Sequence, residues 1–200
     1  MAALPQTLGD IDEPITIDVE LTTTQPKVSD ESVKALADQA NQVTAGTITL
    51  DPQAIGGAMT FDPANPAATK LTATIPVSKV VTVDAALTAH LTKPGADGAK
   101  PDFFGPAMPD AVFVSTKVTP GADGLSATIE GNLTLNGVTK PATFSAQFTG
   151  AGTNFFNKAA TIGFHGQSTI KRSDFGLGFF APLVADDVKL DITIAFEKKA

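Results

Sequence analysis

Two histidines, one arginine and no cysteine make up a sparse chemical inventory for a chain of 200 residues. Without cysteine there is no thiolate nucleophile, no disulfide and no sulfur-ligated metal. His90 and His165 form neither a His-x-x-x-His nor a His-Glu pairing, so no metal site is read here. His165 lies in a period-two run from Thr161, sharing a face with Gln167, Thr169 and Lys171 while Ile162, Phe164 and Ile170 share the other; it is expected to face solvent. His90 ends a short helical stretch before a Gly/Pro loop and reads as a surface histidine, with a ligand head group as the alternative contact. Arg172 stands in Lys171-Arg172-Ser173-Asp174. With Asp174, Asp186 and Asp187 close in sequence it reads as one half of a bidentate structural pair, or else as a clamp for a phosphate or carbonyl head group. Lys140 falls on an apolar strand face opposite Leu133, where its ammonium either snorkels past a rim or supplies a cation at one end of a tunnel. Asp186 and Asp187 are neighbours and would point to opposite faces of a strand, which makes them poor acid/base partners. No serine sits in an elbow or triad setting. No catalytic residue, metal or cofactor is assigned.

The elements that must position these groups are strands. Val188, Leu190, Ile192, Ile194 and Phe196 alternate with Lys189, Asp191, Thr193, Ala195 and Glu197, and Ile15, Ile17, Val19 and Leu21 alternate in the same way near the start. Asn136-Gly137 fits a two-residue type I′ turn, which pairs Leu135 with Val138 and fixes the register outward through Leu133–Lys140, Gly131–Ala142, Ile129–Phe144, Ala127–Ala146 and Leu125–Phe148. Further strands are expected at Thr47–Leu50, Ala58–Phe61, Leu71–Val77, Lys79–Val83, Ala111–Val118 and Thr161–Ile170. An amphipathic helix is expected over Ser29–Val43 and a shorter one over Asp84–Leu91. Residues 1–45 read as a divergent strand and helix packed on the barrel and 46–200 as the barrel itself, one domain overall. Many short antiparallel strands with tight turns mean a sandwich or a barrel, and a closed barrel of about eight strands can hold one small ligand.

Composition narrows the function. A net charge of −7 argues against nucleic acid and against electrostatic docking on anionic lipid. No apolar stretch approaches the ~20 residues of a membrane-spanning helix, so no stable membrane insertion is expected. Met1-Ala-Ala-Leu-Pro has neither the basic start nor the apolar run of a secretion signal, so an exported protein would be represented here by its processed form. All aromatics are Phe: 13 of them, with no Trp and no Tyr. That reads either as drift in a Phe-packed core or as a dry lining without donors, suited to hydrocarbon.

Several segments in order resemble the YceI-like proteins. They are Thr60-Phe-Asp-Pro63, Ser78-Lys-Val-Val-Thr82 with His90-Leu91, Phe103-Phe104 followed by Pro109 and Phe113-Val-Ser-Thr116, Gly131-Asn-Leu-Thr-Leu-Asn-Gly-Val-Thr-Lys-Pro-Ala-Thr-Phe144, and Thr169-Ile-Lys-Arg-Ser-Asp-Phe-Gly176 followed by Val184-Ala-Asp-Asp-Val188. The resemblance covers roughly Gly57 to Ala200. It implies an all-β, lipocalin-like, extended antiparallel β-barrel, exported to the bacterial periplasm. It also implies a tunnel that binds a polyisoprenoid or quinone-like lipid, and in some members a homodimer. Ile129, Leu133, Phe144, Phe148, Phe164 and Ile194 are expected to face the ligand, with Lys140 and Arg172 as its polar neighbours. The alternatives are a barrel enzyme acting on an apolar substrate, for which Lys140, His90 and Arg172 are the available polar groups, and a structural module with a filled core.

Overall fold

The Asn136-Gly137 turn sets the register of the whole sheet. Both residues have positive φ, +51° and +74°, as a type I′ turn requires. The strands on either side, β5 (Ser126–Leu135) and β6 (Val138–Thr153), pair as the turn dictates: Leu135 with Val138, Leu133 with Lys140, Gly131 with Ala142, Ile129 with Phe144 and Ala127 with Ala146. The computed structural model describes residues 11–22, 56–62, 64–82, 84–155, 158–181 and 184–198, with backbone alone for 11–22 and 198. The helix expected over Ser29–Val43, the strand expected at Thr47–Leu50 and the division near residue 45 lie outside these residues.

Six further strands complete the sheet: β1 (Ile11–Thr22), β2 (Gly56–Thr60), β3 (Lys70–Ile75), β4 (Ala111–Pro120), β7 (Ala160–Lys171) and β8 (Asp187–Lys198). Each is antiparallel to its neighbours in chain order, and β1 closes the ring between β8 and β2, meeting β2 where Ile11 pairs with Met59. The expected barrel of about eight strands is therefore the fold. Among the described residues, the helical content is one α-helix, α1 (Ala85–Thr92), plus short 3-10 turns. Asp84 caps α1 by accepting from the backbone N–H of Ala86 at 2.7 Å.

The strand expected at Lys79–Val83 is absent among the described residues. Residues 79–82 form no strand continuing β3: β3 stops at Ile75 because Pro76 has no N–H for the ladder, and Val77–Lys79 forms a 3-10 turn. Val77 and Val80, three apart, both pack inward against Leu87, Leu91 and Phe103, while Ser78 and Lys79 are exposed. The i, i+3 spacing suits a turn with one buried side rather than a strand.

Connections fall at two ends of the barrel. At one end lie the 76–110 segment with α1, the Asn136-Gly137 turn and the 172–186 connection; at the other lie the turn of 121–125 and the connections 61–69 and 154–159. We call these the helix end and the β4–β5 end.

Gly131 shows how tightly the inner face is packed. A Cβ built there meets Phe113 Cζ at 2.4 Å and the backbone oxygen of Val114 at 2.5 Å. The Phe113 ring lies over this glycine and contacts Phe144 edge to face at 4.9 Å between centroids. Gly131→Ala is expected to destabilise by about 1–3 kcal/mol, because both a ring and a backbone carbonyl must move. Chemical denaturation of the variant measures this.

Candidate functional site

The inner faces of the strands enclose a cavity of about 390 Å³. Its wall is hydrocarbon almost throughout. Ile129 and Leu133 from β5, Phe144 and Phe148 from β6, Phe164 from β7 and Ile194 from β8 all line it, so the six apolar residues expected to face a ligand are brought together on one surface. Phe164 holds three edge-to-face contacts there, with Phe61 (6.2 Å), Phe148 (6.0 Å) and Phe196 (6.4 Å).

The void has a local origin. Ala127, Ala146 and Gly166 sit in register on three adjacent strands, and all three line the cavity. A Cβ built on Gly166 meets nothing nearer than 3.9 Å. A row of minimal side chains therefore leaves the lumen open at this level, where large ones would fill it.

Among the described residues, the polar groups in the lining are already engaged. Thr82 Oγ1 donates to the carbonyl of Asp84 at 2.6 Å and lies 2.9 Å from Thr88 Oγ1. Thr69 Oγ1 donates to the Pro66 carbonyl at 2.7 Å, and Ser126 Oγ to Asp123 Oδ1 at 2.8 Å. The lining contains no Asp, Glu, Lys or His among the described residues, and its one charged member is Arg172.

Arg172 is 6% exposed and its partners differ from those expected. Among the described residues, its guanidinium meets no carboxylate within bonding distance. Nε donates to the carbonyl of Ala185 and Nη2 to that of Val184, both at 2.8 Å, and Nη1 donates to the carbonyl of Leu177. The arginine thus fastens the 172–186 connection over the helix end, and the preceding N–H of its own backbone bonds the Asp186 carbonyl at 2.9 Å. Burial lowers its proton affinity and nearby Asp186 opposes this. Asp186 is taken by Ser173, whose N and Oγ donate to it at 2.8 and 2.7 Å. Burial pushes the Asp186 carboxyl up, but the two Ser173 bonds and the Arg172 and Lys171 charges outweigh it and hold it below the ordinary carboxylate value. Asp187, on the other face, pairs with Lys171 at 2.7 Å.

Lys140 pairs with Leu133 as expected but is exposed and is not among the residues lining the cavity. The pairing of Ser145 with Gln167 carries the register to the end of β7 at Lys171, so Lys140 sits where the neighbouring strand has run out and its stem passes the rim. His90 also stays outside the lining. It bonds Asp102 at 2.9 Å and meets the Phe103 ring edge-on at 5.4 Å. The three polar groups available to a barrel enzyme therefore do not converge on the cavity.

His165 is on the outer face, as expected, and is half-buried against Asp191, which also accepts from Gln167 at 2.7 Å. The Gln167 and His165 bonds lower the Asp191 carboxyl below its ordinary value. A depressed carboxyl stabilises the fold above its unfolded pKa, and that contribution is lost as pH falls through the folded value. Asp191→Asn is expected to cost less than about 1 kcal/mol at neutral pH, since the pair is partly exposed. The difference from the parent should vanish in strong acid. Denaturation midpoints across acid pH measure this.

Sequence reasoning gave no role in the site to the residues that seal the helix end: Leu87 and Leu91 of α1, with Phe103, are buried and line the cavity. The signal was present in the i, i+4 spacing of the two leucines.

A closed antiparallel barrel around an apolar, internally satisfied cavity defines a lipocalin-like binding fold. The YceI-like domain family matches residues 29–196, and the chain belongs to that family. The match begins upstream of Gly57. A UPF0312 protein of Pseudomonas aeruginosa is 38% identical over 139 residues, covering 69% of this chain and 68% of that protein. Among solved structures, the Campylobacter jejuni YceI protein superposes with a TM-score of 0.62 at 25% identity, covering 88% of this chain and 90% of that one. A polyisoprenoid-binding domain from Saccharophagus degradans shares the fold at a TM-score of 0.50 and 13% identity, covering 96% of this chain and 100% of that one.

Proposed function

We propose that this protein binds an apolar isoprenoid-type lipid, polyprenyl or quinone-like, inside the barrel, and so carries or sequesters it in the bacterial periplasm. The observation that carries this reading is the cavity of about 390 Å³ whose described lining is hydrocarbon with its few polar atoms already bonded. A volume of this order lies within the usual range for small-molecule sites. Such a wall rewards an apolar guest and penalises a polar one, which would leave its water without replacement bonds. Burying ten methylene-sized groups yields about 8 kcal/mol gross, near micromolar affinity before ordering costs. No polar anchor is then needed.

The ligand-facing set is Ile129, Leu133, Phe144, Phe148, Phe164 and Ile194. Arg172 serves as the loop fastener at the closed end and Lys140 stands outside the site. The polyisoprenoid-binding description of the Saccharophagus degradans neighbour is in keeping with this chemistry.

The test is organic extraction of the purified protein followed by mass spectrometry, together with uptake of a fluorescent prenyl probe. A co-purifying isoprenoid or saturable uptake is the expected result. Neither lipid nor uptake would sink the proposal.

A further inference from the structure

We infer that the cavity takes its lipid tail first through the β4–β5 end and selects for the hydrocarbon chain, leaving the head group in water and unread. This rests on the isoprenoid-binding reading and adds an orientation and a ligand class to it: amphiphiles of one chain length with interchangeable heads.

The two ends of the cavity differ. At the helix end Val80, Leu87, Leu91, Phe103, Leu177 and Val184 line the cavity and are all buried. At the β4–β5 end the lining residues reach solvent: Leu125 is 48% exposed, and Pro120 and Gly124 are exposed as well. Of the two ends, the β4–β5 end is therefore the one whose lining is open to solvent.

A head group pushed to the closed end would be desolvated among hydrocarbon. The hydroxyl there belongs to Thr82, which is spent on Asp84 and Thr88. Each of the three guanidinium nitrogens of Arg172 already donates one hydrogen bond to a backbone carbonyl. Leaving polar groups buried without partners costs more than a chain gains by entering head first. At the open end the head keeps its water. At the rim, Asp123 Oδ1 already accepts from the N–H groups of Leu125 and Ser126 and from Ser126 Oγ, and the carboxylate offers no donor to an anionic head. With every polar side-chain atom of the described lining already in at least one hydrogen bond, discrimination falls to the chain.

The test uses the delipidated full chain and a geranylgeranyl tail carrying an alcohol, a methyl ether or a monophosphate, each delivered from dilute detergent. The three dissociation constants are expected to agree within about tenfold, while removing one isoprene unit weakens every member by more than about tenfold. A benzophenone at the head position should cross-link within Gly121–Ser126, located by peptide mass spectrometry. A spread beyond tenfold among heads, or head adducts on Leu91 or Leu177, would overturn the inference while leaving the isoprenoid reading intact. If no member of the series binds, the isoprenoid reading itself fails and takes this inference with it.

Discussion

Arg172→Met is expected to lower the melting temperature by about 6–12 °C. The guanidinium donates to the carbonyls of Leu177, Val184 and Ala185; Leu177 and Val184 are buried and Ala185 is half-buried. Methionine keeps most of the stem volume and removes every donor. Each abandoned carbonyl costs about 1 kcal/mol or more, so the total is about 3 kcal/mol. For a domain of this size each kcal/mol is worth about 2–4 °C. Arg172→Lys separates charge from geometry: an ammonium keeps the charge but cannot reach three carbonyls in a planar fork, so it should recover only a minor part of the loss. Calorimetry on both variants decides the point, and a methionine variant melting within about 1 °C of the parent would show that the fastening contributes nothing.

What could be read from the sequence, and what could not, follows from the range of the interactions. The β5–β6 hairpin was legible in full because its determinants are local: a turn that demands positive φ at Asn136 and Gly137, and an alternation on each side that a one-residue slip would destroy. The inward set of Ile129, Leu133, Phe144, Phe148, Phe164 and Ile194 was legible for the same reason, since strand parity fixes the face. Arg172 was not. Its position beside four acidic or hydroxyl residues suggested a carboxylate, but its partners are carbonyls, and any residue can supply a carbonyl, so no side-chain pattern reveals them. Lys140 was read correctly for pairing, but the rim and tunnel readings both stayed open, because parity says which face a side chain leaves from but not where the next strand ends. The 77–80 segment misled because Val80 and Val81 suit a strand as well as a turn; Pro76 decided it by ending the ladder.

The sharpest test of the lipid site comes from the row of small residues. Ala127, Ala146 and Gly166 stand side by side on β5, β6 and β7 and keep the lumen open. Ala146→Phe places an aromatic ring in that opening from a position that already faces inward. The ring enters empty space near Phe148 and Phe164 rather than displacing packed atoms, so the melting temperature should hold or rise, as cavity filling does when rotamers permit. Prenyl uptake should fall by more than about tenfold, since the guest and the ring compete for one volume and a loss of about 1.4 kcal/mol already gives that factor. Lys140→Ala is the matched control: the residue is exposed and off the cavity, and uptake should stay within about twofold of the parent. Fluorescence titration of both variants with the same probe makes the comparison. An Ala146→Phe protein that folds and still takes up the probe at parental affinity would mean that the lipid binds somewhere other than the barrel interior, whatever the extraction experiment finds.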